Sequence, residues 1–167
     1  MLRHYLFLLP AVLLCAADAP APLNEVGPGI WVLKGVPGPE AYAEFKRHHV
    51  TFVMDFRRDE ELGQDPNPES SELENLGIGY SRYAISKAPA GDDLSFIRSI
   101  LHNLPHGARI VVHCKDGNRA AGAICTWLVL DRGMEIEKAI RVCRQAGMVL
   151  PETEQAVRTY LKAQARS

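Results

Sequence analysis

The chain has 167 residues, 47% apolar and 23% charged, which is the balance of one soluble globular domain and excludes a mainly disordered chain. Nineteen Lys and Arg against twenty Asp and Glu leave a net charge of −1 with no basic block, so nothing electrostatic supports a nucleic-acid partner. Thirteen Gly and eleven Pro are scattered, and no internal repeat is visible, so collagen-like and low-complexity classes fall away.

Met1–His4 is a short basic start, and Tyr5–Ala17 is an apolar run interrupted by Pro10. Small residues follow through Ala19, which reads as a secretory signal peptide over 1–19; an uncleaved anchor is the alternative. The run falls short of the roughly 20 residues a bilayer span requires. The expectation is an exported protein, periplasmic or secreted, with no stable membrane insertion once the signal is removed. Its remaining cysteines would be Cys114, Cys125 and Cys143, an odd count that implies at least one unpaired thiol.

Residues 20–28 are rich in Pro and Gly and read as a lead-in to a single domain over 29–167. Ile30–Leu33 reads as a short strand, and Pro39 suits the first position of a helix reaching about His48. Val50–Met54 is a β-branched and apolar run, hence a buried strand, ending at Asp55-Phe-Arg-Arg58. After a Gly63–Pro68 loop, a short helix is expected over Ser70–Leu76 and a strand over Tyr80–Ile85. Asp92 is positioned to cap a helix whose apolar positions are Leu94, Ile97, Leu101 and Leu104. Arg109–Val112 is the next strand, followed by helices near 120–131 and 135–146 and a last one opened by Pro151. Strands alternating with helices predict an α/β domain with a central, mostly parallel sheet and helices on both faces. In such sheets ligands bind beyond the carboxyl ends of the strands.

One strand end carries the chemistry. Ile110-Val-Val-His113-Cys114-Lys115-Asp116-Gly117-Asn118-Arg119 runs from a buried strand through a tight loop into a helix. A loop that turns into a helix N-terminus aims several N–H groups at one point and adds the positive end of the helix dipole. Arg119 supplies a planar fork for two oxygens of an oxyanion. In that field the Cys114 thiol is expected to ionise below its free value of about 8.5. Gly117 allows the positive φ such a cradle needs, and His113 is expected to anchor the loop through its ring. Lys115 and Asp116 are expected to turn their side chains outward while their backbone faces the anion. A nucleophile beneath an anion cradle implies transfer of a phosphoryl or sulfur group.

The order strand–His–Cys–loop–Gly–Arg–helix resembles that of the cysteine-dependent tyrosine phosphatase superfamily, in particular the small dual-specificity-like enzymes. The resemblance extends over nearly all of residues 29–147. Val53-Met-Asp55-Phe-Arg57 looks like the strand ending in Asp-x-Arg of that group, and His113-Cys-x-x-Gly-Asn-Arg119 is similar to the loop of bacterial beta-lactamase-hydrolase-like phosphatase domains. The resemblance implies a phosphatase-like fold and hydrolysis of phosphate monoesters. Cys114 would be the nucleophile, Arg119 the oxyanion clamp, and Asp92 or Asp93 the general acid, with Asp55 as a second acid candidate. His113, Lys115, Asp116, Gly117, Asn118, Asp55 and Arg57 would surround the substrate, a phosphorylated protein or a small phosphate ester.

Three positions depart from the pattern. Four residues separate Cys114 from Arg119 where the phosphatases have five, which is the length of a rhodanese-type loop. Ala120 follows the arginine where Ser or Thr is usual, and Ser86-Lys87 stand where the acid is usual. A sulfurtransferase carrying a persulfide on Cys114 from a sulfur donor therefore stays open, as does a non-catalytic oxyanion-binding module. Asp55 could equally be a structural partner of Arg57 or Arg58. Cys125 and Cys143 fall on buried helix faces and read as core, a regulatory disulfide with Cys114 being the alternative. His48, His49, His102 and His106 lack partners at metal-ligand spacing, so no metal and no organic cofactor is expected.

Overall fold

The computed structural model describes residues 23–63 and 68–166. The predicted signal peptide over 1–19 and part of the Gly63–Pro68 loop therefore lie outside the described residues. Five strands, β1 (Leu23–Gly27), β2 (Ile30–Leu33), β3 (Phe52–Asp55), β4 (Gly79–Arg82) and β5 (Ile110–His113), form one sheet in the order β1-β2-β5-β3-β4. Strands β2 to β5 run parallel, and β1 pairs antiparallel to β2. Six helices are α1 (Pro39–Arg47), α2 (Pro68–Asn75), α3 (Gly91–Asn103), α4 (Asn118–Leu130), α5 (Ile136–Ala146) and α6 (Pro151–Gln164).

The central strands are apolar at successive positions because both of their faces are buried. Ile30, Val32, Met54, Ile110 and Val112 face α3, α4, α5 and α6. Trp31, Leu33, Val53 and Val111 face the other way, toward Phe45 of α1 and Leu73 of α2. This is the mostly parallel α/β sheet, covered on both faces, that the strand–helix alternation predicted.

Two elements differ from expectation. Residues 23–27 form an edge strand rather than a lead-in: they pair on one side only, and their part-buried Asn24 and exposed Glu25 carry no apolar signal. Gly29, at φ +74, turns the chain between β1 and β2. The predicted strand over Tyr80–Ile85 ends at Arg82, and the chain continues as loop over Ile85.

Helix α4 is the central post. Every residue from Asn118 to Leu128 is buried, and its Ala- and Gly-rich first turns let α5 and α6 approach closely. Cys125 on α4 and Cys143 on α5 are both 0% exposed. A bond to the Cys125 thiol, together with burial, pushes the Cys143 thiol up. All three described cysteines are free, and the thiol next to Cys143 is Cys125 rather than Cys114, so a disulfide to Cys114 has no support in this geometry.

At Gly122 of α4, a methyl group would stand 2.5 Å from Thr153 Cγ2 of α6. Gly122→Ala is expected to destabilise the fold by about 1–3 kcal/mol, because a β-branched Thr in a packed interface cannot retreat. A thermal unfolding midpoint unchanged from wild type would show that α6 is less tightly seated than the contact implies.

Candidate active site

Strand β5 delivers His113 and then Cys114 to the carboxyl edge of the sheet, and the loop 114–117 turns directly into α4. Gly117 makes the turn at φ +86, as expected; a side chain there would meet Lys34 Cα at 3.2 Å. Cys114 is 0% exposed, and Arg119, the second residue of α4, is only 3% exposed.

The Arg119 guanidinium is held from several sides. It donates to both oxygens of Glu61, Nη1 to Oε2 at 2.7 Å and Nη2 to Oε1 at 2.8 Å. Nη1 also donates to the carbonyls of Phe56 and Ile85, each at 3.2 Å. Burial would lower the Arg119 pKa, but the Glu61 bond and the nearby Cys114 sulfur raise it overall. Burial likewise works against the Glu61 charge, yet the bonds from Arg119 and from the Arg58 backbone hold its carboxyl below the usual range. The arginine thus stays charged beside the thiol.

Asp116 does not behave as the sequence suggested. Its residue is exposed, but the carboxylate turns back into the loop. The Cys114 thiol donates to Asp116 Oδ1 at 3.4 Å, and the Asn118 N–H donates to the same oxygen at 3.0 Å. Lys115 is exposed, as expected. Asn118 is 1% exposed and acts as a clasp. Its Oδ1 accepts from the Val149 and Leu150 N–H groups, both at 2.9 Å, and its Nδ2 donates to Thr153 Oγ1. Thr153 in turn donates to the Lys87 carbonyl, so three loops meet behind the cradle.

Under the loop lies a buried ionic network on the α1/α2 side of the sheet. Arg57 grips Asp55 through Nε and Nη2, with Nη2 at 2.7 Å from Oδ2, and the same Nη2 donates to Glu69 Oε2 at 2.6 Å. Tyr80 adds its hydroxyl to Asp55 Oδ2 at 3.1 Å. His113 Nε2 lies 2.8 Å from Glu69 Oε1 and 3.8 Å from Asp55 Oδ1, close contacts without aligned hydrogen bonds. Burial alone would raise the Asp55 carboxyl; the Arg57 bonds and the charge of His113 hold it below the usual range. Burial and the neighbouring carboxylates push the Tyr80 hydroxyl far up.

Asp55, Glu69 and His113 converge closely enough to ligate a cation. The Arg57 guanidinium already bonds both carboxylates, Asp55 and Glu69, and so competes with a cation for them.

No family model matches the sequence, and no curated protein matches it in sequence. Solved structures do match in three dimensions. A mutant form of Tk-PTP superimposes with a TM-score of 0.71 at 18% identity, covering 87% of this chain and 97% of that one. PTPMT1 in complex with PI(5)P gives 0.70 at 17% identity, covering 86% and 97%. The core catalytic domain of the PP-IP phosphatase SIW14 from S. cerevisiae, in complex with citrate, gives 0.70 at 16% identity, covering 90% and 92%.

The chain has the tyrosine phosphatase fold.

Within that fold the structure brings Cys114, Asp116, Gly117, Asn118 and Arg119 together and separates the other predicted residues. Asp55 and Arg57 do not line a crevice: they are 0% and 4% exposed, bonded to each other, and Asp55 is kept ionised, which suits a structural pair and not an acid. The ring hydrogen bonds expected of His113 are not formed: neither ring nitrogen has a hydrogen-bond partner, and Nε2 lies against Glu69 beneath the loop. Helix α3 starts at Gly91 with Ala90 as its N-cap, and the side chain that bonds back to the cap is Asp93 rather than Asp92. Asp93 accepts from the Ala90 N–H and from the Tyr83 hydroxyl, both at 3.0 Å, which commits its oxygens to structure. Asp92 is exposed in the first turn of α3.

Sequence reasoning missed Glu61 and Glu69. Glu61 sits in the acidic run Asp59-Glu60-Glu61 after two arginines, a local charge signal that could have marked it. Glu69 opens α2 and carries no such signal.

Arg57→Ala would strand two buried carboxylates and is expected to cost about 3–5 kcal/mol at neutral pH. Because the folded Asp55 pKa is depressed, its contribution is complete above the ordinary carboxylate value of about 3.9 and is lost as pH falls through the depressed one. Denaturant titrations should therefore show the gap between wild type and variant closing below about pH 4. A gap that persists in acid would assign the effect to packing instead.

Proposed function

We propose that this protein is an exported, cysteine-dependent phosphatase acting on phosphate monoesters, borne by a phosphorylated protein or by a small molecule. The observation that carries the reading is the position of Cys114 at the end of β5, at the N-terminus of α4, with the charged Arg119 guanidinium beside its sulfur. The phosphatase fold of its structural neighbours supports it, as does their chemistry in name: one is bound to PI(5)P and one is a PP-IP phosphatase.

In this reading the Cys114 thiolate attacks phosphorus while Arg119 and the loop amides hold the non-bridging oxygens. The S–P bond forms as the bond from phosphorus to the leaving oxygen breaks, and that oxygen takes a proton. Water then attacks phosphorus, the S–P bond breaks, and phosphate leaves with the thiolate restored. Of the two predicted acids, Asp92 is the one we assign to the leaving group, since Asp93 is engaged as a cap. Glu61 positions Arg119. Export rests on the basic, apolar and small-residue succession of residues 1–19.

A second reading is favoured by one feature, the four-residue spacing between Cys114 and Arg119. A smaller cradle suits a persulfide, and sulfur transfer needs no general acid.

An activated aryl phosphate tests the first reading, because its leaving group departs without a strong acid. Cys114→Ser is expected to abolish turnover, and Arg119→Ala to lower it by about 10²–10³, the worth of one preorganised donor. Absence of turnover by wild type, together with a gain of one sulfur atom in intact mass after thiosulfate treatment that Cys114→Ser does not show, would move the assignment to sulfur transfer.

A further inference from the structure

Asp116 stands inside the cradle that the proposed chemistry needs empty. Its Oδ1 accepts from the Asn118 N–H, a donor at the N-terminus of α4, and from the Cys114 thiol. One carboxylate oxygen thus takes both a donor meant for a substrate oxygen and a place against the nucleophile. The sulfur is fully buried while the Asp116 residue itself is exposed, so the carboxylate has solvent to swing into and the thiol does not.

Two roles are chemically open to such a group, and geometry separates them. A general acid must reach the leaving oxygen, which departs from the face of phosphorus opposite the attacking sulfur. Asp116 lies on the sulfur side, where the non-bridging oxygens come to rest, and so cannot protonate the leaving group from this position. A negative charge there instead opposes an incoming oxyanion twice. It repels the anion at short range, and it already holds a backbone donor.

We infer that Asp116 is a specificity-determining residue that occupies the oxyanion cradle as an internal competitor and must withdraw before a phosphoryl group can bind. The inference rests on the reading of the loop as a phosphoryl cradle. Its consequence is a site of low affinity for free inorganic oxyanions, in which binding of the remainder of the substrate drives the displacement of the carboxylate.

The test is calorimetric titration of wild type, Asp116→Asn and Asp116→Ala with orthophosphate. Asp116→Asn keeps an acceptor for the Asn118 N–H and removes only the charge; Asp116→Ala empties the position. Orthophosphate is expected to bind at least one variant about tenfold or more tightly than wild type, the scale of one hydrogen bond involving a charged group. Affinities equal to or weaker than wild type in both variants would overturn the inference while leaving the cradle intact. No binding by any of the three proteins would overturn the cradle reading, and the inference with it.

Discussion

A single buried guanidinium sets the terms for this structure. Arg57 bonds two carboxylates drawn from different elements, Asp55 at the end of β3 and Glu69 at the start of α2. Glu69 then meets His113 at the end of β5. Removing charges from water is costly, and Asp55, Arg57 and Glu69 offset that cost by pairing with one another. The two central strands and one covering helix are thereby fixed at the edge where the loop begins. The residue after His113 is Cys114, so its thiol starts from a position specified by charge and not by packing alone.

Above this foundation, the loop is held from the other side by α4. The buried Asn118 ties the start of α4 to the chain between α5 and α6, and Thr153 extends the tie to Lys87. Glu61 fixes Arg119 from the segment after β3. Chemistry that depends on preorganised dipoles benefits from such restraint, since little reorganisation remains when charge develops. The exposed Asp116 also faces the sulfur, through its Oδ1.

Much of this was legible in the residues. The β-branched runs around Val53 and Val111 declared central strands, and the spacing of Leu94, Ile97 and Leu101 declared a helix. Cys114, Gly117 and Arg119 declared the loop because a thiol, a turn residue and an arginine follow a buried strand in short succession there. Edge strand β1 was not legible, since an edge strand with one paired side needs no alternating apolar pattern. Nor was the role of Asp55, because a carboxylate at a strand end reads alike whether it faces water or Arg57. The partners that decide this, Glu69 and Tyr80, lie 12 and 25 residues away from Arg57 and Asp55 respectively. The orientation of Asp116 depends on a side-chain torsion, on which composition and spacing are silent.

The clasp at Asn118 bears on how this loop can change over generations. The side chain directly before Arg119 is committed to the Val149, Leu150 and Thr153 contacts, and Gly147 lies against Gly117, both at positive φ and each leaving a side chain only 3.2 Å from its nearest neighbour. Adding a fifth residue between Cys114 and Arg119 would push Asn118 or Gly117 out of register with that neighbouring segment. Lengthening the loop therefore cannot be a local event: it would demand matching changes around residues 147–153. The short loop is in that sense locked in by its surroundings, and lineages carrying this clasp would diversify at the exposed positions 115 and 116 before they altered loop length.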